Sequence, residues 1–260
     1  MQPDQIDSGT ATIYPNSTGI ERATIGGIRC VKSRYGVYLK TRWTDATFHF
    51  CVFGRYGNVL SDILNNMQAD FTFIDVGANQ GLYSLIAARN PACQKVYAFE
   101  PVANTYQYLL DNVLINQAHK IVPVNAAISD KEGTAQIAVQ RGHSGAATLR
   151  EFSPLLVCRT DTIRTISGQG LAHLLAGANN CIIKIDVEGF ESTVLDQLEK
   201  SGVLERTQIL FYEIDEKWTD PTEIESRLRL LGFKGFVRNG SELHYDVMAT
   251  RNDQHPLLEL

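Results

Sequence analysis

The sequence is poor in several features, and each absence removes a class of protein. Basic charge is not in surplus: 24 Lys and Arg stand against 29 Asp and Glu, a net charge of -5. A protein that holds nucleic acid mainly by charge would read the other way. Cysteine is scarce and scattered, at positions 30, 51, 93, 158 and 181, with no C-x-x-C pair. That argues against a zinc site or a disulfide framework and fits reduced thiols used as small core residues. No apolar run approaches the ~20 residues that span a bilayer. Met1-Gln2-Pro3-Asp4-Gln5 lacks the basic start and apolar core of a signal peptide, so the expected location is cytoplasmic, with no membrane or nucleic-acid partner. The phosphate loop G-x-x-x-x-G-K-[ST] is missing as well. What is left is an ordinary globular composition over 260 residues. That length suits one α/β domain with an elaboration, or two small domains.

The most informative stretch is Phe71-Thr72-Phe73-Ile74-Asp75-Val76-Gly77-Ala78-Asn79-Gln80-Gly81-Leu82-Tyr83. An apolar run ends in an acid, a glycine turn follows, and a helical pattern begins. Such a loop presents bare backbone and a helix N-terminus to a ligand. About 20 residues on, Val96-Tyr97-Ala98-Phe99-Glu100-Pro101 is a second strand ending in an acid, where nucleotide-binding folds hold a ribose.

Strand and helix patterns alternate from Phe71 to Ile214, which implies a doubly wound, mostly parallel sheet. Helical patterns cover Leu82 to Ala88 and Val102 to Asn116, the latter with Tyr106, Leu109, Leu110, Val113 and Leu114 on its inward face. Strands are expected at Ile121 to Val124, Thr134 to Val139, Cys181 to Val187 and Gln208 to Ile214. Asp220-Pro221-Thr222-Glu223 reads as a helix start. Asn239-Gly240 between two apolar runs predicts a closing hairpin, hence an antiparallel strand at one edge. Before Phe71 the texture differs. Ser33 to Phe53, rich in aromatics, reads as antiparallel strands, and Val59 to Leu64 as a short helix. Three parts are therefore expected: a β-rich N-terminal extension over 1–66, serving as substrate cap or oligomer contact; a ligand-binding domain over 67–251; and a tail over 252–260.

A dinucleotide fingerprint requires G-x-G-x-x-G, and Asn79 stands where its second glycine belongs. That weighs against NAD or FAD and leaves a nucleoside without a pyrophosphate. S-adenosyl-L-methionine fits, with Glu100 accepting from its ribose hydroxyls. Four pieces in order then resemble the FkbM family of class I S-adenosylmethionine-dependent methyltransferases. They are Ile74 to Tyr83, Phe99-Glu100-Pro101, Asn125 to Gly133, and Ile183-Lys184-Ile185-Asp186-Val187-Glu188-Gly189-Phe190-Glu191. The resemblance covers roughly Phe71 to Ile214 and departs at Phe190, where a small residue is more usual. It implies cofactor contacts from Asp75, Gly77, Ala78, Asn79, Gly81, Tyr83, Glu100 and Pro101, with Ala127 and Ile128 near the adenine. It also implies O-methylation of a hydroxyl on a sugar or natural-product small molecule.

The fourth piece carries the acceptor chemistry. Alternation sets Lys184, Asp186 and Glu188 on one side of the strand, and a parallel neighbour would bring Glu213 beside them. Three roles compete for these acids. Asp186 or Glu188 is a general base; or Asp186, Glu188 and Glu213 hold Mg²⁺; or the acids are structural, Lys184 pairing with Asp186 while Glu188 and Glu191 cap the next helix. His143, in a glycine-bracketed loop, is a further candidate base, and His49 a candidate substrate contact. The remaining histidines, His244 among them, show no partner spacing. Rival functions are an NAD-type oxidoreductase on the same fold and a non-catalytic S-adenosylmethionine-binding module.

Overall fold

The computed structural model describes residues 12–14, 19–140, 142–149, 159–240 and 243–252. Arg141, Cys158, His255 and nearly all of the expected tail lie outside them. The chain opens with an antiparallel meander of β1 (Thr12–Tyr14), β2 (Arg22–Ile25), β3 (Ile28–Lys32) and β4 (Tyr38–Lys40). Side-chain amides close the free edge of β4. Asn116 Oδ1 accepts from Tyr38 N at 2.9 Å, Asn112 Oδ1 accepts from Lys40 N at 2.7 Å, and Asn116 Nδ2 donates to Tyr38 O at 2.7 Å. These bonds satisfy edge groups that would otherwise be open to another strand.

The expected strands do not continue to Phe53. Ala46–Phe53 is a helix, α1, despite its aromatics. Its ends decide the matter. Asp45 accepts from Phe48 N at 3.0 Å as N-cap, and Gly54, at φ 69°, closes the other end in the left-handed region. Thr47, Phe48, Cys51 and Val52 are then buried at helical spacing.

After α2 (Val59–Asn66) the alternation begins. In order come β5 (Phe71–Val76), α3 (Leu82–Arg89), β6 (Cys93–Phe99), α4 (Ala103–Ile115), β7 (Ile121–Val124), β8 (Ala127–Ile128), β9 (Gly133–Val139) and β10 (Arg159–Ile166). They are followed by α5 (Gly168–Leu174), β11 (Cys181–Ile185), α6 (Glu191–Lys200), β12 (Thr207–Asp215), α7 (Pro221–Leu230), β13 (Gly235–Asn239) and β14 (His244–Thr250). The main sheet runs β13-β14-β12-β11-β5-β6-β7, parallel from β12 to β7, with the closing hairpin antiparallel at one edge. The doubly wound fold is thus the one expected. Every residue of β5 is buried, as in a sheet covered on both faces. One face packs Phe71, Phe73, Val96, Ile182 and Phe211 with residues of α1, α2 and α3. The other packs Ile74, Val76, Phe99, Ile183, Ile185 and Tyr212 with α5, α6 and α7.

Three local expectations change. The strand at Thr134 to Val139 does not join the main sheet; β9 pairs with β10 and β10 with β8 in a separate three-stranded sheet. In α4 the fully buried positions are Thr105, Leu109, Asn112 and Ile115, while Leu114 is exposed. The face turns because Asn112 Nδ2 must reach Gln80 O, at 2.7 Å, inside the molecule. Strand β11 ends at Ile185, before Asp186. Among the described residues no helix is long and apolar enough to cross a membrane.

Candidate active site

The loop after β5 is shaped by its own chain. Gly77 N and Ala78 N both donate to Phe99 O, at 3.1 and 2.9 Å. Gly77, Asn79 and Gly81 have φ of 78°, 50° and 88°, and asparagine tolerates that left-handed region better than most residues. A Cβ on Gly77 would lie 1.9 Å from Asp186 O, and one on Gly81 would lie 2.4 Å from Leu109 Cδ1. Both glycines therefore admit neighbouring protein: the turn after β11, and α4. The bare backbone read from the sequence is filled from within at these two points.

Glu100 stands at the end of β6 and is buried. Its Oε2 accepts from Asn79 N at 3.0 Å and its Oε1 from Val102 N at 2.9 Å. Burial pushes its carboxyl up to about 7, against the pull of those two N–H groups. Each oxygen keeps a lone pair for a further donor. Glu100 borders a cleft with an apolar slot of Phe99, Ala127, Ile128, Ile137, Phe190 and Val194, and a polar end of Asn79, Ser144 and Asp186.

A second cleft, of about 300 Å³, adjoins it. Its floor holds Lys184, Asp186, Glu188, Glu213, Asp246 and His244, and its walls Phe50, Tyr56, Tyr83 and Phe211, with Arg55 and His143 also lining it. Tyr56, Gly145 and Asp186 border both clefts. Sheet register assembles this floor. Lys184 lies opposite Asp75 on one side and Phe211 on the other, and Glu213 lies opposite Asp246. The nearly buried Lys184 Nζ donates to Gly77 O at 2.8 Å and pairs with Asp186 Oδ2 at 3.2 Å and Asp75 Oδ1 at 3.4 Å. Burial opposes its charge, but Asp186 and Asp75 outweigh that and hold its pKa above the ordinary lysine value.

The acids crowd one another. Carboxylate oxygens of Asp186, Glu188 and Glu213 all lie within 4.8 Å. Burial, then the charge of Asp186, pushes Glu188 up to about 9, Glu213 to about 8 and Asp246 to about 6. His244 Nε2 meets Glu213 Oε1 at 2.6 Å, and that bond raises the histidine. Glu188 follows the end of β11 in a left-handed conformation, φ 53°. Such strain in a non-glycine residue collects where a side chain must be aimed.

Of the ten residues expected at the cofactor, Gly77, Asn79, Glu100, Pro101, Ala127 and Ile128 line the first cleft. Asp75 lies beneath the loop, taken up by Lys184 and by Ser84 Oγ at 2.6 Å. Ala78 is core and Gly81 starts α3, while Tyr83 faces the second cleft. Asp186, Glu188, Glu213 and His143 all line the second cleft. His49 lines neither; its Nε2 meets Trp43 O at 2.8 Å. His244, which shows no partner spacing in the sequence, lines the second cleft, and so do Tyr56 and Asp246. Only the β12–β14 register could have disclosed the last of these.

A family model described as the methyltransferase FkbM domain matches residues 75–234. Among curated proteins the chain is 26% identical over 179 residues to the hexuronic acid methyltransferase AglP of Haloferax volcanii, with 66% of each chain covered. The chain thus spans about two thirds of the length of that relative. Among solved structures, precorrin-6y C5,15-methyltransferase from Geobacter metallireducens GS-15 aligns at a TM-score of 0.40 and 15% identity, over 75% of this chain and 86% of that one. M. capricolum TrmK, in complex with the cofactor product S-adenosyl-homocysteine, aligns at 0.45 and 10% identity, over 74% and 67%.

Proposed function

The chain belongs to the FkbM methyltransferase family, and from that premise we propose that it carries a methyl group from S-adenosyl-L-methionine to a hydroxyl of a sugar or natural-product small molecule. The carrying observation is the pair of clefts that meet at Tyr56, Gly145 and Asp186. One suits a nucleoside and the other suits a polyhydroxylated acceptor, so a group at the junction is within reach of both. The residues of the first cleft fit the cofactor. An apolar slot takes a flat base, the Glu100 carboxylate accepts from ribose hydroxyls, and Asn79 and Asp186 face the charged end. When bound, the cofactor supplies an electrophilic methyl on a sulfonium.

The chain's own residues then align and deprotonate the acceptor. Asp186, anchored by Lys184 and bordering both clefts, orients the acceptor at the junction by accepting from a hydroxyl next to the reacting one. Glu188, the most basic of the neighbouring carboxylates, takes the proton, and His143 stands by on the same cleft. Alignment supplies much of the rate, because the reacting atoms need only be held in line. Residues 1–66 act as the acceptor-side cap, a role supported by Thr47, Phe50, Arg55 and Tyr56 in the cleft walls. Residues 67–251 form the catalytic domain.

The rival oxidoreductase loses ground at Gly77, whose missing side chain makes room for Asp186 O. The convergence of Asp186, Glu188 and Glu213 favours Mg²⁺ as a second reading of the acids. One assay addresses all three. With methyl-labelled S-adenosylmethionine and a panel of neutral sugars, uronates and phenols, label is expected in an alkali-stable ether on at least one acceptor. The rate is expected to survive EDTA. A rate lost to chelation and restored by Mg²⁺ assigns the acids to a metal. Hydride transfer with NAD and no methyl transfer would overturn the proposal.

A further inference from the structure

Asp45 lies thirty residues before the region that the family model matches and lines neither cleft, yet its contacts end at the donor loop. It is 1% exposed. Besides capping α1 through Oδ1, it accepts from Ser144 N at 2.9 Å on Oδ2 and from Ser144 Oγ at 3.0 Å on Oδ1. Arg42 Nε, 3.5 Å from Oδ2, offsets its charge. The same short stretch is stitched to α1 twice more. Ala46 N donates to Gly142 O at 2.8 Å, and Gly145 N donates to Thr47 Oγ1 at 3.0 Å. On its other side Ser144 Oγ lies 3.0 Å from Asn79 Oδ1, and Asn79 N holds Glu100. The hydroxyl has one proton, and the charged carboxylate is the stronger acceptor. Asp45 therefore holds Ser144, and Ser144 is set against Asn79.

We propose that Asp45 is a positioning residue for the donor cleft: it clamps the Ser144–Gly145 stretch over Asn79 and so sets cofactor affinity from a helix cap outside the cleft. This rests on reading that cleft as the S-adenosylmethionine site. It also makes the N-terminal segment part of the donor side as well as the acceptor side.

The test is calorimetric titration of S-adenosylhomocysteine into the full-length protein and four variants, with thermal melts of each. Asp45→Ala is expected to weaken binding by roughly tenfold or more, the cost of losing charged hydrogen bonds. Asp45→Asn keeps an acceptor for Phe48 N, and asparagine caps helices as well as aspartate, but its amide opposes Ser144 N. It is expected to melt close to wild type and still bind weakly, with a raised KM for S-adenosylmethionine and a kcat at saturation near wild type. Ser144→Ala, which leaves the α1 cap whole, is expected to weaken binding less, by about threefold. Asp220→Ala removes a comparable cap far from the cleft, where Asp220 Oδ1 accepts from Thr222 N at 2.8 Å. It is expected to lower the melting temperature with unchanged affinity. Wild-type binding with Asp45→Asn and Ser144→Ala both within twofold of it overturns this inference alone. Absence of binding by the wild type overturns the functional reading and this inference with it.

Discussion

Replacing Lys184 by methionine is expected to destabilise the protein by about 3–5 kcal/mol, the usual cost of stripping one partner from a buried ion pair. The reason lies in what the ammonium serves at once. It neutralises Asp75, which is 1% exposed, and Asp186, and it donates to the carbonyl of Gly77. Without it, two carboxylates stay in a poorly solvated site beside Glu188 and Glu213, and the loop after β5 loses the Lys184 bond to Gly77 O. The shift in the urea midpoint measures the effect. The double variant Lys184→Met/Asp75→Asn is expected to regain part of the loss, since the two residues face each other across β5 and β11. A midpoint for Lys184→Met close to wild type, below about 1 kcal/mol of loss, would show that solvent already reaches Asp75 and that the lysine organises nothing.

The second large effect separates activity from stability. Glu188→Gln is expected to lower kcat by about 10²–10⁴-fold, the usual yield of a positioned base, and to raise stability at pH 8. The sign follows from proton binding. In the folded protein Glu188 holds its proton up to about 9, whereas the unfolded chain releases it near the ordinary 4.5. Between those values the native state binds more protons than the unfolded state, so stability falls as pH rises through the window. Glutamine mimics the protonated carboxyl and removes that slope. Partial exposure holds the gain to on the order of 1–3 kcal/mol. The wild-type rate is expected to climb with pH through this range as the base ionises, with Glu213 adding its own step near 8. Chemical denaturation and kcat, both measured from pH 5 to 9.5, test the two halves together. An unchanged rate profile in Glu188→Gln would remove this residue as the base and leave Asp186 with alignment alone.

The strand-end segments that border the first cleft were legible because their information is local, although Asp75, Ala78, Gly81 and Tyr83 within them do not line it. Asp75 to Tyr83 and Phe99-Glu100-Pro101 each sit at a strand end, and the parallel fold brings strand ends together. The hairpin at Asn239-Gly240 is local in the same way. Three things were hidden because they are set at a distance. Helix α1 is decided by Asp45 and Gly54 at its ends, against a stretch whose aromatics favour strands. Strand β10, Arg159 to Ile166, is mostly polar and belongs to a small, largely solvent-facing sheet, so its apolar signal is weak. His244 and Asp246 enter the second cleft only through their pairing with β12, and register across a turn cannot be read from spacing. Asn112 reversed an expectation for a related reason. A polar residue on the inner face of α4 is affordable only because Gln80 O and Lys40 N meet it there.

On the proposed function, the cleft bordered by Glu100 holds S-adenosylmethionine. The most direct test is titration of S-adenosylhomocysteine into wild-type protein and into Glu100→Ala, with circular dichroism to confirm that both are folded. Saturable one-to-one binding is expected for the wild type and a loss of about a hundredfold or more in the variant, ~2.7 kcal/mol, as for hydrogen bonds to a carboxylate. No binding by the wild type, or equal binding by the two proteins, would contradict it.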